Sequence, residues 1–282
     1  MTLADFLHHA TTTLVATSPS ARLDAEVLAM HVTGLTRTAL ITRGGEALST
    51  EQEARLRELI ERRRKGEPVA YLTGRREFWS LELTVTPDVL IPRPETELLV
   101  EQALVRIPPD ATRRIADLGT GSGAIALAIA SERPHCRVTA TDASPAALAV
   151  ARGNARRLGI GNVEFREGEW FAPLAGLTFD LIVSNPPYIA TADPHLMQGD
   201  VRFEPRAALV SGGDGLDAIR LIAVQASAHL QPGGWLLLEH GYDQAAAVRA
   251  ILGTNGLTDC TSFADLAGHA RVTAGRRPKE SG

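Results

Sequence analysis

Apolar residues recur at helical spacing along the first part of the chain. Leu3, Phe6, Leu7 and Ala10 share one face, and Leu23, Val27, Leu28 and His31 share another. Ser49 followed by Gln52 fits a capping box, after which Leu56, Leu59 and Ile60 form a third stripe. Residues 1–75 therefore read as a small helical bundle, whose third helix is stopped by Gly66-Glu67-Pro68. Residues 76–110 read as a linker. Within it, 79–83 and 84–90 suit two short strands or a ribbon, and Pro87, Pro92 and Pro94 mark extended backbone.

From residue 111 to 282 the pattern changes to alternating strands and helices. Strands are expected at 114–118, 137–141, 163–166, 179–184 and 235–239, and helices at 123–132, 144–158 and 216–230. Ser144 caps the second of these helices and Pro145 takes its first position. Such a rhythm predicts an α/β fold: a parallel sheet with helices on both faces.

Composition narrows the partners. With 282 residues, 44% of them apolar, the chain can bury a sizeable core. A formal charge of −4 supplies no basic field for a duplex backbone. The one basic run, Arg62-Arg63-Arg64-Lys65, reads as a solvated helix end. Cys136 and Cys260 are too few and too far apart for a metal quartet or a CxxC pair, and read as free thiols in a reducing compartment. Residues 1–5 lack the basic start of a signal peptide, and no apolar run is long enough to span a membrane. The expectation is a cytoplasmic monomer that uses no metal, with no membrane and no direct nucleic-acid contact.

The first strand of the alternating region ends in Asp117-Leu118-Gly119-Thr120-Gly121-Ser122-Gly123. Glycines here allow a tight turn and close ligand approach, and the following helix offers free N–H groups. Asp142 ends the next strand, where a carboxylate can accept the hydroxyls of a ribose. These residues point to a nucleoside cofactor without fixing its type. Gly119-x-Gly121-x-x-Ala124 equally suits a dinucleotide, and Asp142 could simply cap the helix after it.

Asn185-Pro186-Pro187-Tyr188 follows the 179–184 strand, so it should face the same crevice as the glycine loop. The Asn185 side-chain carbonyl and the Pro186 backbone carbonyl can accept the two hydrogens of a planar NH₂ group. Tyr188 offers a flat face to that group's π system. An amide nitrogen is a weak nucleophile, so the group it attacks must be strongly activated; a sulfonium methyl approached in line fits.

Asn-Pro-Pro-Tyr after a strand resembles the amino-group methyltransferases, which act on adenine, cytosine N4 or protein glutamine. The wider context is similar to the peptide chain release factor glutamine methyltransferase family. The resemblance is carried by Phe78-Trp79, the 91–97 run Ile-Pro-Arg-Pro-Glu-Thr-Glu, the 117–123 loop, Ser184 to Ile189, Arg202 to Pro205, Leu238 to Gly241 and Arg271 to Thr273. It spans nearly the whole chain. It implies a Rossmann-like class I methyltransferase sheet with a small N-terminal helical domain that docks the substrate. It also implies S-adenosyl-L-methionine as methyl donor and bacterial-type class I release factors as partners, methylated on the glutamine of a Gly-Gly-Gln motif. On that resemblance Gly119, Thr120, Gly121, Ser122, Gly123, Asp142, Trp170 and Asn185 hold the cofactor. Asn185, Pro186, Pro187 and Tyr188 hold the glutamine, with Asn185, Pro186 and Tyr188 as the catalytic group. Arg93 and Glu95 close over the cofactor, brace the two domains or form a plain salt bridge. Phe203-Glu204-Pro205 lines the substrate entrance. His240 is structural, because this chemistry needs no histidine base. The run Leu266-Ala267-Gly268-His269-Ala270 departs from the family pattern and puts the last hairpin in doubt.

The alternative is a nucleic-acid amino methyltransferase acting on adenine N6 or cytosine N4, which would share the same motif but need a basic recognition face. A nicotinamide dehydrogenase explains the glycines and leaves Asn185 to Tyr188 without a role. A non-catalytic module that kept the fold would bind neither cofactor.

Overall fold

A computed structural model describes residues 1–279; the last three residues of the 111–282 region lie outside the described residues. The chain divides into two compact units, Met1–Arg75 with Met197–Phe203, and Arg76–Leu196 with Glu204 onward.

The first unit holds helices α1 (Leu3–Leu14), α2 (Ala21–Thr33), α3 (Arg37–Thr42), α4 (Thr50–Arg64) and α5 (Val69–Thr73). The α1 stripe of Leu3, Phe6, Leu7 and Ala10 is buried as the spacing predicts. In α2 the inward face differs from the expected one. Leu23 is 49% exposed and His31 is exposed, while Ala21, Asp24, Ala25, Glu26, Leu28 and Ala29 are buried. Two buried acids hide this face from a hydrophobicity pattern, and each is paired. Glu26 meets Arg22 at 2.6 Å and Arg37 at 2.9 Å. Asp24 meets Arg63 Nε at 2.7 Å and accepts from the Ser18 and Ser20 hydroxyls. The Ser49/Gln52 capping box forms at the start of α4. The basic run at its other end is only partly solvated. Arg63 is buried and also reaches Asp200 at 2.7 Å, whereas Arg62 and Arg64 pair with Glu67 and Glu61 at the surface. A charge run read as a uniform face thus contains one inward arginine.

In the 76–110 stretch, expected to be a linker, a hairpin of β1 (Arg75–Phe78) and β2 (Leu81–Thr84) is followed by helix α6 (Glu97–Arg106). Its Phe78, Leu83, Leu99, Val100, Ala103 and Ile107 join the core of the second unit. The hairpin lies earlier than the expected ribbon because its turn is Trp79-Ser80, both at positive φ (52° and 57°) without a glycine to announce it. The Trp79 N–H donates to Glu97 Oε1 and its indole N–H to Glu132 Oε1, each at 2.9 Å, which holds the turn.

The rest of the second unit is β3 (Arg114–Leu118), α7 (Ala124–Glu132), β4 (Arg137–Asp142), α8 (Pro145–Leu158), β5 (Val163–Glu167), β6 (Phe179–Ser184), α9 (Asp217–His229), β7 (Leu230–Glu239), α10 (Ala245–Thr254), β8 (Thr258–Ala264) and β9 (Ala270–Arg276). Among the described residues the strands form a seven-stranded sheet in the order β5-β4-β3-β6-β7-β9-β8. Pairing is parallel from β5 through β7, and β9 runs antiparallel to both its neighbours. Alternate strand residues feed two apolar layers. Ile115, Leu181, Val183 and Leu237 pack with α6 and α7, while Ala116, Ile182, Leu236 and Leu238 pack with α9 and α10. The hairpin put in doubt by residues 266–270 forms: Asp265 Oδ1 accepts the N–H groups of Ala267 and His269 at 2.9 Å each.

Register sets the site. Leu118 pairs with Thr141 on one side and Ser184 on the other, and Ser184 pairs with Leu238. The carboxyl ends of β3, β4, β6 and β7 therefore lie level, which brings Gly119, Asp142, Asn185 and Glu239 to one edge where the strand order reverses.

Candidate active site

At that edge a cavity of about 380 Å³ opens in the second unit, lined among others by Gly119, Gly121, Asp142, Trp170, Asn185 and Pro187. Its size suits a nucleoside-sized ligand. A larger hollow of about 630 Å³ lies at the opposite, amino ends of β3, β4 and β5, around Arg114, Arg137 and Val163, and contains none of the expected site residues.

The glycine loop is shaped from below. Gly119 has φ +73°, and a Cβ there would press on the Trp170 ring at 3.3 Å, so the loop and the indole close together only without a side chain. The Thr120 hydroxyl donates to Asp117 Oδ2 at 2.6 Å, beneath the loop. Asp117 is fully buried with Oδ1 unpaired. Burial pushes its carboxyl up to about 7, against the hydrogen bond from Thr120, with the Asp142 charge adding to the rise. Thr120 and Ser122 are buried and brace the loop; the Ser122 carbonyl accepts from Asn154 Nδ2 at 2.9 Å. Asn154 also bonds the Thr84 backbone and so ties the loop to β2, a role no sequence motif announces.

Asp142 does two jobs. Its Oδ2 accepts the Gly121 N–H at 2.8 Å and its Oδ1 accepts the Ser144 N–H at 2.9 Å. It therefore caps the turn into α8, and each oxygen keeps a lone pair for a ligand hydroxyl. Trp170 sits at φ +46°, and its carbonyl accepts the Thr141 hydroxyl at 3.1 Å.

Asn185 is half-buried on the cavity wall, and its Nδ2 donates to the Thr96 hydroxyl at 3.2 Å. That bond holds the amide end of the side chain. Pro186 is buried behind it, and Pro187 lines the wall. The Tyr188 hydroxyl donates to Glu239 Oε1 at 3.4 Å, while its backbone carbonyl accepts from Gln244. Burial, followed by the Glu239 charge, raises the phenol far above its usual range.

Arg93 pairs with the buried Glu204, whose other oxygen accepts the Ile91 N–H at 3.0 Å. Pro205 then lines the cavity beside Leu90. His240 is fully buried: its Nδ1 donates to the Gly241 carbonyl at 2.8 Å and its Nε2 accepts from Thr273 at 2.7 Å. Burial also holds its pKa down, which suits a neutral structural residue. Thr96 and Glu239 were not singled out from the sequence. The signal available was an acid closing a buried apolar strand, Leu236-Leu237-Leu238-Glu239. Among the described residues no cluster of three or more His, Cys, Asp or Glu could hold a metal ion, and no helix is long and apolar enough to cross a membrane.

A family model described as the PrmC N-terminal domain matches residues 5–74, and one described as the methyltransferase small domain matches residues 94–216. The release factor glutamine methyltransferase of Xylella fastidiosa (strain Temecula1) is 57% identical over 263 residues, covering 93% of this chain and 96% of its own length. That of Escherichia coli (strain K12) is 52% identical over 259 residues, covering 92% and 93%. The chain belongs to the release factor glutamine methyltransferase family. Among solved structures, a methyltransferase from Pyrococcus furiosus matches with a TM-score of 0.54 at 18% identity, over 82% of this chain and all of that one. That likeness shows the methyltransferase fold. The family's two-part layout, helical unit then sheet, runs through this chain as well.

Proposed function

We propose that this chain transfers a methyl group from S-adenosyl-L-methionine to the side-chain amide nitrogen of a glutamine, in the Gly-Gly-Gln motif of bacterial-type class I release factors. The observation that carries this reading is the anchored Asn185: Nδ2 is held by Thr96, and Oδ1 is free on the wall of the cavity that also holds Gly119 and Asp142. The names of relatives more than 50% identical over nine-tenths of the chain support the same substrate.

The residues fit the cofactor. Asp142 has spare lone pairs for ribose hydroxyls, Gly121 faces open space, and Trp170 walls the cavity as a flat apolar surface for a purine. When bound, S-adenosyl-L-methionine supplies a methyl carbon made electrophilic by a positively charged sulfur.

The chain's own groups prepare the nucleophile. Asn185 Oδ1 and the Pro186 carbonyl accept the two amide hydrogens, which orients the nitrogen and raises its electron density. Two prolines stiffen the turn, so these acceptors need no reorganisation. The nitrogen forms its bond to the methyl carbon as the carbon–sulfur bond breaks. It then releases a proton from the more acidic cationic amide to water, so a histidine base is unnecessary. Pro187 and Tyr188 shape the glutamine side of the pocket. Residues 1–75 dock the release factor, and the chain acts as a cytoplasmic monomer.

The test is incubation with a purified release factor and a methyl-labelled donor. Label is expected in the wild-type factor and absent when the Gly-Gly-Gln glutamine is replaced. Equal label in both would overturn the substrate. A DNA or RNA oligonucleotide that accepted label would favour the nucleic-acid alternative instead.

A further inference from the structure

We propose that Gln244 is a positioning residue for this reaction: it clamps the Tyr188 carbonyl and so fixes the far end of the Asn185–Tyr188 turn that presents the acceptors to the glutamine. The proposal rests on the roles given to Asn185 and Pro186 above.

The turn carries two prolines, and neither has an N–H to donate. It therefore depends more than an ordinary turn on what grips its ends. The near end is the sheet: Ser184 pairs with Leu118 and Leu238, and its hydroxyl donates to the Leu118 carbonyl at 2.7 Å. The far end is the peptide plane joining Tyr188 to Ile189, which is held at both edges. Its N–H donates to the Leu209 carbonyl at 2.9 Å, and its carbonyl accepts from Gln244 Nε2 at 3.0 Å. Released at the carbonyl edge, the plane can pivot about the other bond and carry the two prolines with it.

The orientation of Gln244 is unambiguous, because its partners are all main-chain groups. Its Oε1 accepts the Gly241 N–H at 2.8 Å, while Nε2 donates to the Tyr188 and Asp214 carbonyls at 3.0 Å and 3.3 Å. A turned amide would set NH₂ against N–H and oxygen against two oxygens. The clamp stands on a firm base: Gln244 leads into α10, whose Val248 and Leu252 are fully buried. From another side Gly215, at φ +78°, lies so close that a Cβ there would come within 2.2 Å of the Tyr188 oxygen. Gln244, Gly215 and Gly241 are not among the residues lining the cofactor cavity, so the clamp should act on turnover and leave cofactor affinity alone.

The experiment is kcat for wild type, Gln244→Glu, Gln244→Leu and Gly215→Ala, with release factor and S-adenosyl-L-methionine both saturating. Displacing the acceptors should slow all three variants at least about tenfold at pH 8, with cofactor affinity by calorimetry kept. The glutamate variant separates positioning from plain structural loss. As a carboxylate it sets an oxygen against the Tyr188 carbonyl; once protonated it donates to that carbonyl and restores the clamp. Its kcat relative to wild type should therefore rise as pH is lowered from about 8 to about 5.5, since a carboxylate facing two carbonyls holds its proton to higher pH than usual. The ratio for Gln244→Leu should stay flat. The charged groups nearby are Asp243, next in sequence, and Asp214, which Arg220 holds well below the usual carboxylate range; burial keeps His240 neutral. A Gln244→Glu enzyme with wild-type kcat at pH 8, or with a ratio no higher at low pH, overturns the proposal, as does wild-type turnover by Gly215→Ala. Normal turnover by Asn185→Ala would instead sink the underlying role of Asn185, so the two failures are distinguishable.

Discussion

At the scale of single residues, two buried carboxyls and one carboxamide shape the site. If Asn185 is the proposed acceptor for the reacting nitrogen, Asn185→Ala should lower kcat about 10²–10³-fold, with cofactor affinity by calorimetry within a few-fold of wild type; near-normal turnover would contradict that proposal. Asp117 offers a pH test of the fold. Its native pKa, about 7, lies above the ordinary value of 3.8, so the native state holds this proton more tightly than the unfolded chain. The stabilisation is complete below about pH 4 and is lost as pH rises through about 7. Asp117→Asn should therefore melt higher than wild type at pH 8 and close to it at pH 4 or below, a gap on the order of a few kcal/mol. A lower melting temperature at pH 8 would contradict that. A buried charge kept at such a cost in stability fits the usual exchange of stability for function.

At the scale of elements, the glycine loop and the capped helices follow local chemistry. Gly119→Ala combines a left-handed φ with a 3.3 Å approach to Trp170, so the loop or the indole must move. Cofactor affinity measured by calorimetry should fall at least about tenfold, which is 1.4 kcal/mol. In the helical unit, Arg63→Ala leaves Asp24 buried without its cation and should destabilise by about 3–5 kcal/mol in chemical denaturation; a loss under about 1 kcal/mol would show the ion pair to be a surface-like one. The strands β3 to β7 and the helices α7, α8 and α9 were legible because their apolar runs and their caps, Ser144-Pro145 above all, are written in consecutive residues, whereas β8 and β9 were not placed from the sequence. The loop 117–123, Asp142 and Asn185 were legible for the same reason, and the cavity brings Gly119, Gly121, Asp142, Trp170, Asn185 and Pro187 together. Other features depend on partners far apart in sequence. The inward face of α2 needs Arg63, Arg22 and Arg37; the β1–β2 turn needs Glu97 and Glu132; and Thr96 gains its meaning only from Asn185, 89 residues on. Helix α6 was hidden behind the prolines that precede it, which read as extended backbone.

At the scale of the whole molecule, the chain joins a helical unit to a methyltransferase sheet and carries a net charge of −4. Without a basic field, duplex DNA should neither accept methyl nor compete with a release factor at physiological salt; inhibition that weakens steeply with added salt would speak for a nucleic-acid surface. The central claim is that an oriented asparagine and a proline carbonyl grip the glutamine amide beside the methyl donor. The most direct measurement is a crystal structure with S-adenosylhomocysteine and a Gly-Gly-Gln peptide. The account predicts the glutamine nitrogen about 3 Å from both Asn185 Oδ1 and the Pro186 carbonyl, with Asn185 Nδ2 still on Thr96. A glutamine bound elsewhere, or an Asn185 oxygen turned onto Thr96 in an active complex, would contradict it.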